Sequence, residues 1–115
     1  MIEARIISHL ASLTALPVYA ERPQTPDPEY ILIERTGAGV ENRIRRVTIA
    51  VQSYAESLYR AAEINGLVET AMDALTDLEN ISKCKLNSSY NFTDTETRSY
   101  RYQAVFDIIF MEGEE

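Results

Sequence analysis

The chain has 115 residues, 45% of them hydrophobic and 25% charged, a composition typical of one globular domain and unlike that of a disordered chain. Its formal net charge of −7 gives no electrostatic footprint for tight nucleic-acid binding, so a DNA-binding function is disfavoured. The lone cysteine excludes an intramolecular disulfide and fits a reducing compartment, and the charged residues near the N-terminus exclude a signal-peptide core or a membrane span. We therefore expect a single cytosolic domain over residues 1–115, with no membrane association.

The first segment has the pattern of an amphipathic helix. Apolar residues recur at spacings of four, four and three, at Ile2, Ile6, Leu10 and Leu13. The helix should end before Pro17, because all four prolines fall between residues 17 and 28 and exclude both a helix and a central strand there. This proline-rich segment is predicted to be an extended arm with room for a short edge strand at Val18 to Ala20.

The middle of the chain is predicted to form a β-hairpin. Tyr30 to Thr36 is rich in β-branched and aromatic residues and stops at Gly37-Ala38-Gly39, which favours a turn. Arg46 to Tyr54 alternates between apolar and polar residues, as a half-buried strand requires. The long polar loop between these strands carries a basic cluster that is either a contact for an acidic partner or simply a solvated turn: Arg43, Arg45 and Arg46.

A second helix follows this hairpin. Ser53 to Glu56 matches the S-x-x-E capping box, and Ser57 is a competing N-cap residue. Beyond either cap, a helical apolar stripe runs through Asn65-Gly66, which predicts one helix to about Leu78.

The last third shows strong alternation and is predicted to form a second hairpin. Two stripes define its strands: Cys84, Leu86, Ser88, Tyr90 and Phe92, then Tyr100, Tyr102, Ala104, Phe106, Ile108 and Phe110. Between them, the polar run Thr93 to Thr97 forms a short acidic loop that contains Asp94 and Glu96. Apolar residues on both faces of the second strand indicate a central position in the sheet. The tail from Glu112 to Glu115 is expected to be solvated and mobile.

Taken together, the elements predict an α+β fold. We expect a two-layer sandwich in which two helices pack on one face of an antiparallel sheet of about four strands.

No combination of residues supports catalysis. His9 and Cys84, the only histidine and cysteine, lie within or beside apolar stripes, and one of each cannot build a zinc site in the usual spacings. Acid–base catalysis needs carboxylates in a shielded cleft, where their pKa values can differ, whereas Asp94 and Glu96 belong to an exposed loop. We expect neither an enzyme nor a bound cofactor or metal.

Seven tyrosines and no tryptophan form a compositional bias. Tyrosine suits both a packed sheet face and a subunit interface, and the sequence favours neither reading over the other.

The order of elements and several residues resemble the tail terminator, or tail completion, proteins of long-tailed bacteriophages. The similar features are Pro17-Val18-Tyr19 before the proline-interrupted arm, Tyr30-Ile31-Leu32-Ile33, Val47 to Tyr54 leading into an alanine-containing helix, and the closing run Asp94, Glu96, Arg98, Tyr100-Arg101-Tyr102 and Ala104 to Phe110. The similarity covers nearly the whole chain, but it consists of a pattern of elements rather than a catalytic signature.

This resemblance implies a structural subunit that forms a homo-oligomeric, hexameric ring on the last ring of the tail tube. Its partners would be the tube protein and a head–tail connector protein, with viral DNA passing through but not tightly bound. Assembly would occur in the host cytoplasm, and the mature location would be the tail or neck of the virion. Within such a ring, we expect the loop of residues 37–46 and the tip of residues 93–97 to make intersubunit or tube contacts, through Arg43, Arg45, Arg46, Asp94 and Glu96.

Two other functions are compatible with the sequence. A neck or head-completion protein of similar shape would bind the portal side and ignore tube protein. A small ligand-binding domain would need convergent polar residues between sheet and helices, whereas the inward-facing positions are Val, Ile, Leu, Tyr and Phe.

Overall fold

Two helices lie on one face of a five-stranded sheet in the computed structural model, which describes residues 1–111. In chain order the elements are α1 (Ile2–Thr14), β1 (Val18–Tyr19), β2 (Tyr30–Glu41), β3 (Ile44–Ala55), α2 (Leu58–Asp73), a 3₁₀ turn (Ala74–Asp77), β4 (Ile81–Asn91) and β5 (Tyr100–Met111). The predicted α+β fold with both helices on one face is confirmed. The tail predicted to be mobile, residues 112–115, lies outside the described part.

The sheet has the strand order β1-β2-β3-β5-β4, and β1 runs parallel to β2 while all other neighbours are antiparallel. The expected sheet of about four antiparallel strands is therefore corrected to a mixed sheet of five. The additional strand comes from the proline-rich arm, where Val18 pairs with Ile31 and the Ile31 amide donates to the Pro17 carbonyl at 2.9 Å. Pro17 lacks the N–H group needed to extend this pairing at the N-terminal end of β1, which has only two residues.

A single apolar core fills the space between the helices and the sheet. Three residues of the predicted stripe of α1, Ile2, Ile6 and Leu10, are buried, whereas the fourth, Leu13, is 56% exposed in the last turn. α1 ends at Thr14, before Pro17 as expected. The rest of the core comes from α2 and from the inner face of the three long central strands: Ala61, Ile64, Val68, Met72, Ile31, Ile33, Val47, Ile49, Val51, Ala104, Phe106 and Ile108. β5 lies between β3 and β4, which confirms its predicted central position.

Of the two candidate N-caps for α2, Ser57 is the one used. Its side chain accepts a hydrogen bond from the Arg60 amide at 3.1 Å, while Ser53 is fully buried within β3. α2 passes through Gly66 as one helix, as predicted, but ends at Asp73 rather than near Leu78. The backbone tightens there into the 3₁₀ turn of Ala74–Asp77.

The β2–β3 hairpin has no long loop, so that prediction was wrong. Both strands run on to a two-residue turn at Asn42-Arg43, whose φ angles of 51° and 68° suit the tight hairpin turn that matches strand twist. Gly37 and Gly39 lie inside β2, next to a register shift between Arg35 and Gly37, and neither has a positive φ. The glycines thus mark a bulge rather than a flexible tip.

A second irregularity breaks the predicted stripe of β4. Cys84 and Leu86 pair with inward-facing residues of β5, but the register shifts between Leu86 and Ser88. Beyond this bulge Ser89 faces the helices, and Tyr90 pairs with Gln103 on the outer face of the sheet. A slip of one residue moves every later side chain to the opposite face, which the alternation alone could not reveal.

Candidate interaction site

The free end of the β2–β3 hairpin projects beyond the helical layer. All residues from 34 to 41 are exposed, and so are three large apolar residues at this end: Val40 at 61%, Ile44 at 41% and Met111 at 50%. We call Val40, Arg43, Ile44, Arg46 and Met111 the basic tip. Apolar and cationic groups are thus presented together at one end of a molecule measuring 44 × 25 × 23 Å, a combination common in protein interfaces.

The three arginines predicted as contact residues are not equivalent. Arg43 occupies the second position of the tight turn and is exposed. Arg46 is exposed on the outer face, opposite Ile109, whereas Arg45 points to the inner face, opposite Phe110, and is half-buried. Only Arg43 and Arg46 are therefore fully presented to a partner.

Asp94 and Glu96 lie at the opposite end of the sheet from these arginines. The turn that holds them precedes Tyr100, while the basic tip adjoins Met111, and the 12 residues of β5 between the two ends span roughly 37 Å. The structure therefore does not bring the predicted contact residues into one site. It places them at two separate ends of the molecule.

The carboxylate of Asp94 is used inside its own turn. Asp94 Oδ1 accepts hydrogen bonds from the amides of Glu96 at 3.1 Å and Thr97 at 3.4 Å, and the Asp94 backbone pairs with Ser99. Hydrogen bonds from Thr97, followed by the one from Glu96, hold the pKa of Asp94 below its ordinary value. Asp94 therefore shapes the turn, and Glu96 is the exposed acidic residue of the pair.

The outer face of the sheet carries a chain of polar side chains instead of a covering helix. Gln52 Nε2 donates to Gln103 Oε1 at 2.8 Å, Tyr54 Oη donates to Gln52 Oε1 at 3.0 Å, and Gln103 Nε2 donates to the Tyr90 hydroxyl. Both glutamines are buried, at 7% and 9% exposure. Because their amides bond one another across strands, this face is fixed and its polar groups are paired.

An aromatic cluster attaches the proline-rich arm to this outer face. The rings of Tyr30 and Tyr54 stack with centroids 4.5 Å apart, and Tyr19 meets Tyr30 edge-on at 6.0 Å. Arg22 and Arg101 lie over the Tyr54 ring at 5.9 and 5.7 Å. These tyrosines pack against the sheet and the arm, so of the two explanations for the high tyrosine content, packing within the domain applies to them.

A groove between α2 and β4 was not predicted from the sequence. It has a volume of about 340 Å³ and is lined by Glu69, Thr70, Met72, Asp73, Cys84, Leu86 and Phe106. Leu86 is 40% exposed and contributes apolar surface, while Glu69 and Asp73 contribute carboxylates. Glu69 Oε2 is fixed by hydrogen bonds from Asn65 Nδ2 at 2.9 Å and Ser89 Oγ at 3.0 Å. We call this feature the acidic groove.

The nucleophile and base candidates are both engaged in packing. Burial, with a smaller contribution from the Asp73 charge, raises the pKa of the Cys84 thiol to about 11, so the thiolate needed for nucleophilic attack is disfavoured. His9 Nε2 donates to the Ala71 carbonyl at 2.6 Å and joins α1 to α2. Within residues 1–111, no three His, Cys, Asp or Glu side chains converge as a metal site would require.

No helix in the described part of the chain combines the length and apolar character that crossing a membrane requires.

Comparison with known proteins gives a likeness to solved structures but not to known sequences. No protein-family model and no curated protein sequence matches the chain. Among solved structures, the chain is similar to one from the virion of a native gene transfer agent particle, with a TM-score of 0.52 and 12% sequence identity. The alignment covers 90% of this chain and 84% of the other. At this identity the likeness shows a shared fold.

Proposed function

We propose that the chain is a structural virion protein with no catalytic activity, and that it caps the tail tube as a ring. The observation that carries this proposal is the shared fold with a chain of a gene transfer agent virion over most of both chains. The resemblance of the element order and of several residues to tail terminator proteins supports the same class of function. A non-enzymatic role also agrees with the raised pKa of Cys84.

Termination of a tube needs a subunit with two different docking faces. Each ring of a growing tube presents a surface that the next ring accepts, and such heterologous stacking does not close by itself. A terminator binds this open end and offers a different outer surface to the head connector. The sheet has chemically different ends, with the β2–β3 turn at one end and the turn containing Glu96 at the other, so a ring of such subunits presents two unlike faces.

The charge of the chain suits a ring around a DNA channel. A net charge of −7 disfavours strong retention of phosphate groups. DNA therefore passes through the proposed ring without being tightly bound. We place assembly in the host cytoplasm and the finished ring in the tail or neck of the particle.

Binding to purified tube protein from the same virion tests this proposal. The native chain should co-sediment with assembled tubes and saturate at a fixed small number of copies per tube, because only one end accepts a cap. A chain that ignores tubes but binds portal-side protein would instead support a head-completion role. The triple variant Arg43→Ser, Arg45→Ser and Arg46→Ser tests the contact residues, since unchanged ring formation and tube binding would contradict their role.

A further inference from the structure

The structure holds two surface features of opposite charge at separate places on the same chain. The basic tip presents Arg43 and Arg46 around the exposed apolar side chains of Val40 and Ile44, and its cations outnumber the one neighbouring carboxylate, Glu41, which pairs with Ile44 across the hairpin. The acidic groove presents Glu69 and Asp73 beside the exposed side chain of Leu86. Each feature contains the apolar and charged groups that would complement the other.

From this complementarity we infer that the basic tip of one copy docks in the acidic groove of a second copy. The inference rests on the proposed ring, and it names the surfaces through which the ring would close. Because the tip and the groove are different patches, their contact is heterologous, and repetition of one such contact around an axis generates a ring.

Geometry favours a protruding tip as the inserted element. The hairpin narrows to the two-residue turn Asn42-Arg43, and no helix covers its last residues. The groove, at about 340 Å³, has roughly the volume of ten water molecules and so accepts side chains of a turn rather than a whole element. Val40 and Ile44 lie on opposite faces of the hairpin, next to its turn, and form an apolar wedge for such a site.

The groove is already shaped for a ligand of this kind. Asn65 and Ser89 fix the Glu69 carboxylate, so its charge is held in place before docking. Asp73 is exposed and lies near Cys84, whose pKa it helps to raise. An arginine entering beside Leu86 would therefore meet one carboxylate, that of Glu69, whose position costs little further ordering, together with the exposed carboxylate of Asp73.

Charge reversal at each side of the proposed contact, followed by mixing, tests the inference. Arg46→Glu reverses the charge of the basic tip and leaves the acidic groove unchanged, and Asp73→Arg reverses a charge of the groove and leaves the tip unchanged. Each variant alone should lose self-association by at least about tenfold in analytical ultracentrifugation, because like charges then face each other. An equimolar mixture should recover association, since every contact then pairs a cation with an anion.

Matched controls separate this contact from a general effect of charge. Arg98→Glu in the β4–β5 turn and Glu21→Arg in the arm change the net charge by the same amounts at exposed positions away from both surfaces. These controls should associate as the native chain does. Thermal melts of all four variants establish that each is folded, and the milder pair Arg46→Ser and Asp73→Ser should weaken association in the same direction.

The outcomes distinguish the inference from the proposed function. A monomeric native chain at all concentrations, or association that neither Arg46→Glu nor Asp73→Arg disturbs, overturns the inference even if the chain still binds tubes. Failure of the mixture to recover, with both variants folded, overturns it as well. Conversely, tip-to-groove association in a chain that never binds tube protein upholds the inference and refutes the tail-capping function.

Discussion

Cys84 gives a direct chemical test of the packing between α2 and β4. Burial raises the pKa of its thiol from an ordinary 9.0 to about 11. At pH 8 an ordinary thiol is roughly one-tenth ionised, whereas a thiol with a pKa of about 11 is about one-thousandth ionised. Because the thiolate is the reacting species, alkylation of the folded chain should be about a hundredfold slower than that of the unfolded chain.

The assay is iodoacetamide labelling followed by intact-mass measurement at several pH values. The rate for the folded chain should rise about tenfold for each pH unit from 7 to 9.5, and the chain unfolded in urea provides the reference rate for Cys84. The variant Asp73→Asn should react faster than the native chain, because removal of the neighbouring negative charge lowers the pKa of the thiol.

A labelling rate at pH 8 within threefold of the unfolded reference would refute this reasoning. It would mean that Cys84 is solvated and that the wall of the acidic groove is not formed as described. A rate well above the unfolded reference would instead indicate an activated thiol and would reopen the possibility of nucleophilic chemistry in this chain.

Three further predictions concern stability and can be checked by chemical or thermal denaturation. Ser57→Ala should destabilise the fold by about 1 kcal/mol through loss of the N-cap. Ser53→Ala should be neutral or stabilising, because the buried Ser53 hydroxyl has no hydrogen-bond partner. A larger loss of stability for Ser53→Ala than for Ser57→Ala would contradict the assignment of Ser57 as the N-cap. Gly66→Ala should stabilise α2 by about 0.5–1 kcal/mol, since a Cβ at this exposed helical position meets nothing within 4 Å, and a loss of stability would show hidden crowding. Hydrogen bonds from Arg60 at 2.7 and 3.1 Å lower the pKa of Glu29, so this pair should stabilise the fold above about pH 4.3, and the stabilisation should be lost as the pH falls through the lowered pKa. The variant Glu29→Gln should flatten that part of the acid denaturation curve. An unchanged curve would argue against the pairing.

The main elements of the fold were predictable because their periodicities are strong. The helical stripe of Ile2, Ile6 and Leu10 and the alternation of Ala104, Phe106 and Ile108 identify core faces without further information. The β1 strand was only suggested, and its parallel pairing with β2 depends on tertiary contacts with the arm. The bulge between Leu86 and Ser88 is not visible in the alternation of apolar and polar residues, and it places the Tyr90 side chain on the face of the sheet opposite to the predicted one.

The candidate site was less predictable than the fold. The arginines and the hairpin were identified, but Gly37 and Gly39 suggested a long loop where the chain forms a strand, so the continuation of both strands to a tight turn was missed. Asp94 was identified as exposed and acidic, yet its carboxylate serves its own turn. The acidic groove combines residues from α2, β4 and β5, and no local pattern could reveal it.

The length distribution of growing tail tubes tests the central claim most directly. Substoichiometric native chain added to tube protein during assembly should stop elongation, giving short tubes with a ring of extra density at one end by electron microscopy. Tubes that reach the same lengths with and without the chain, and whose ends carry no added density, would contradict the proposed capping function.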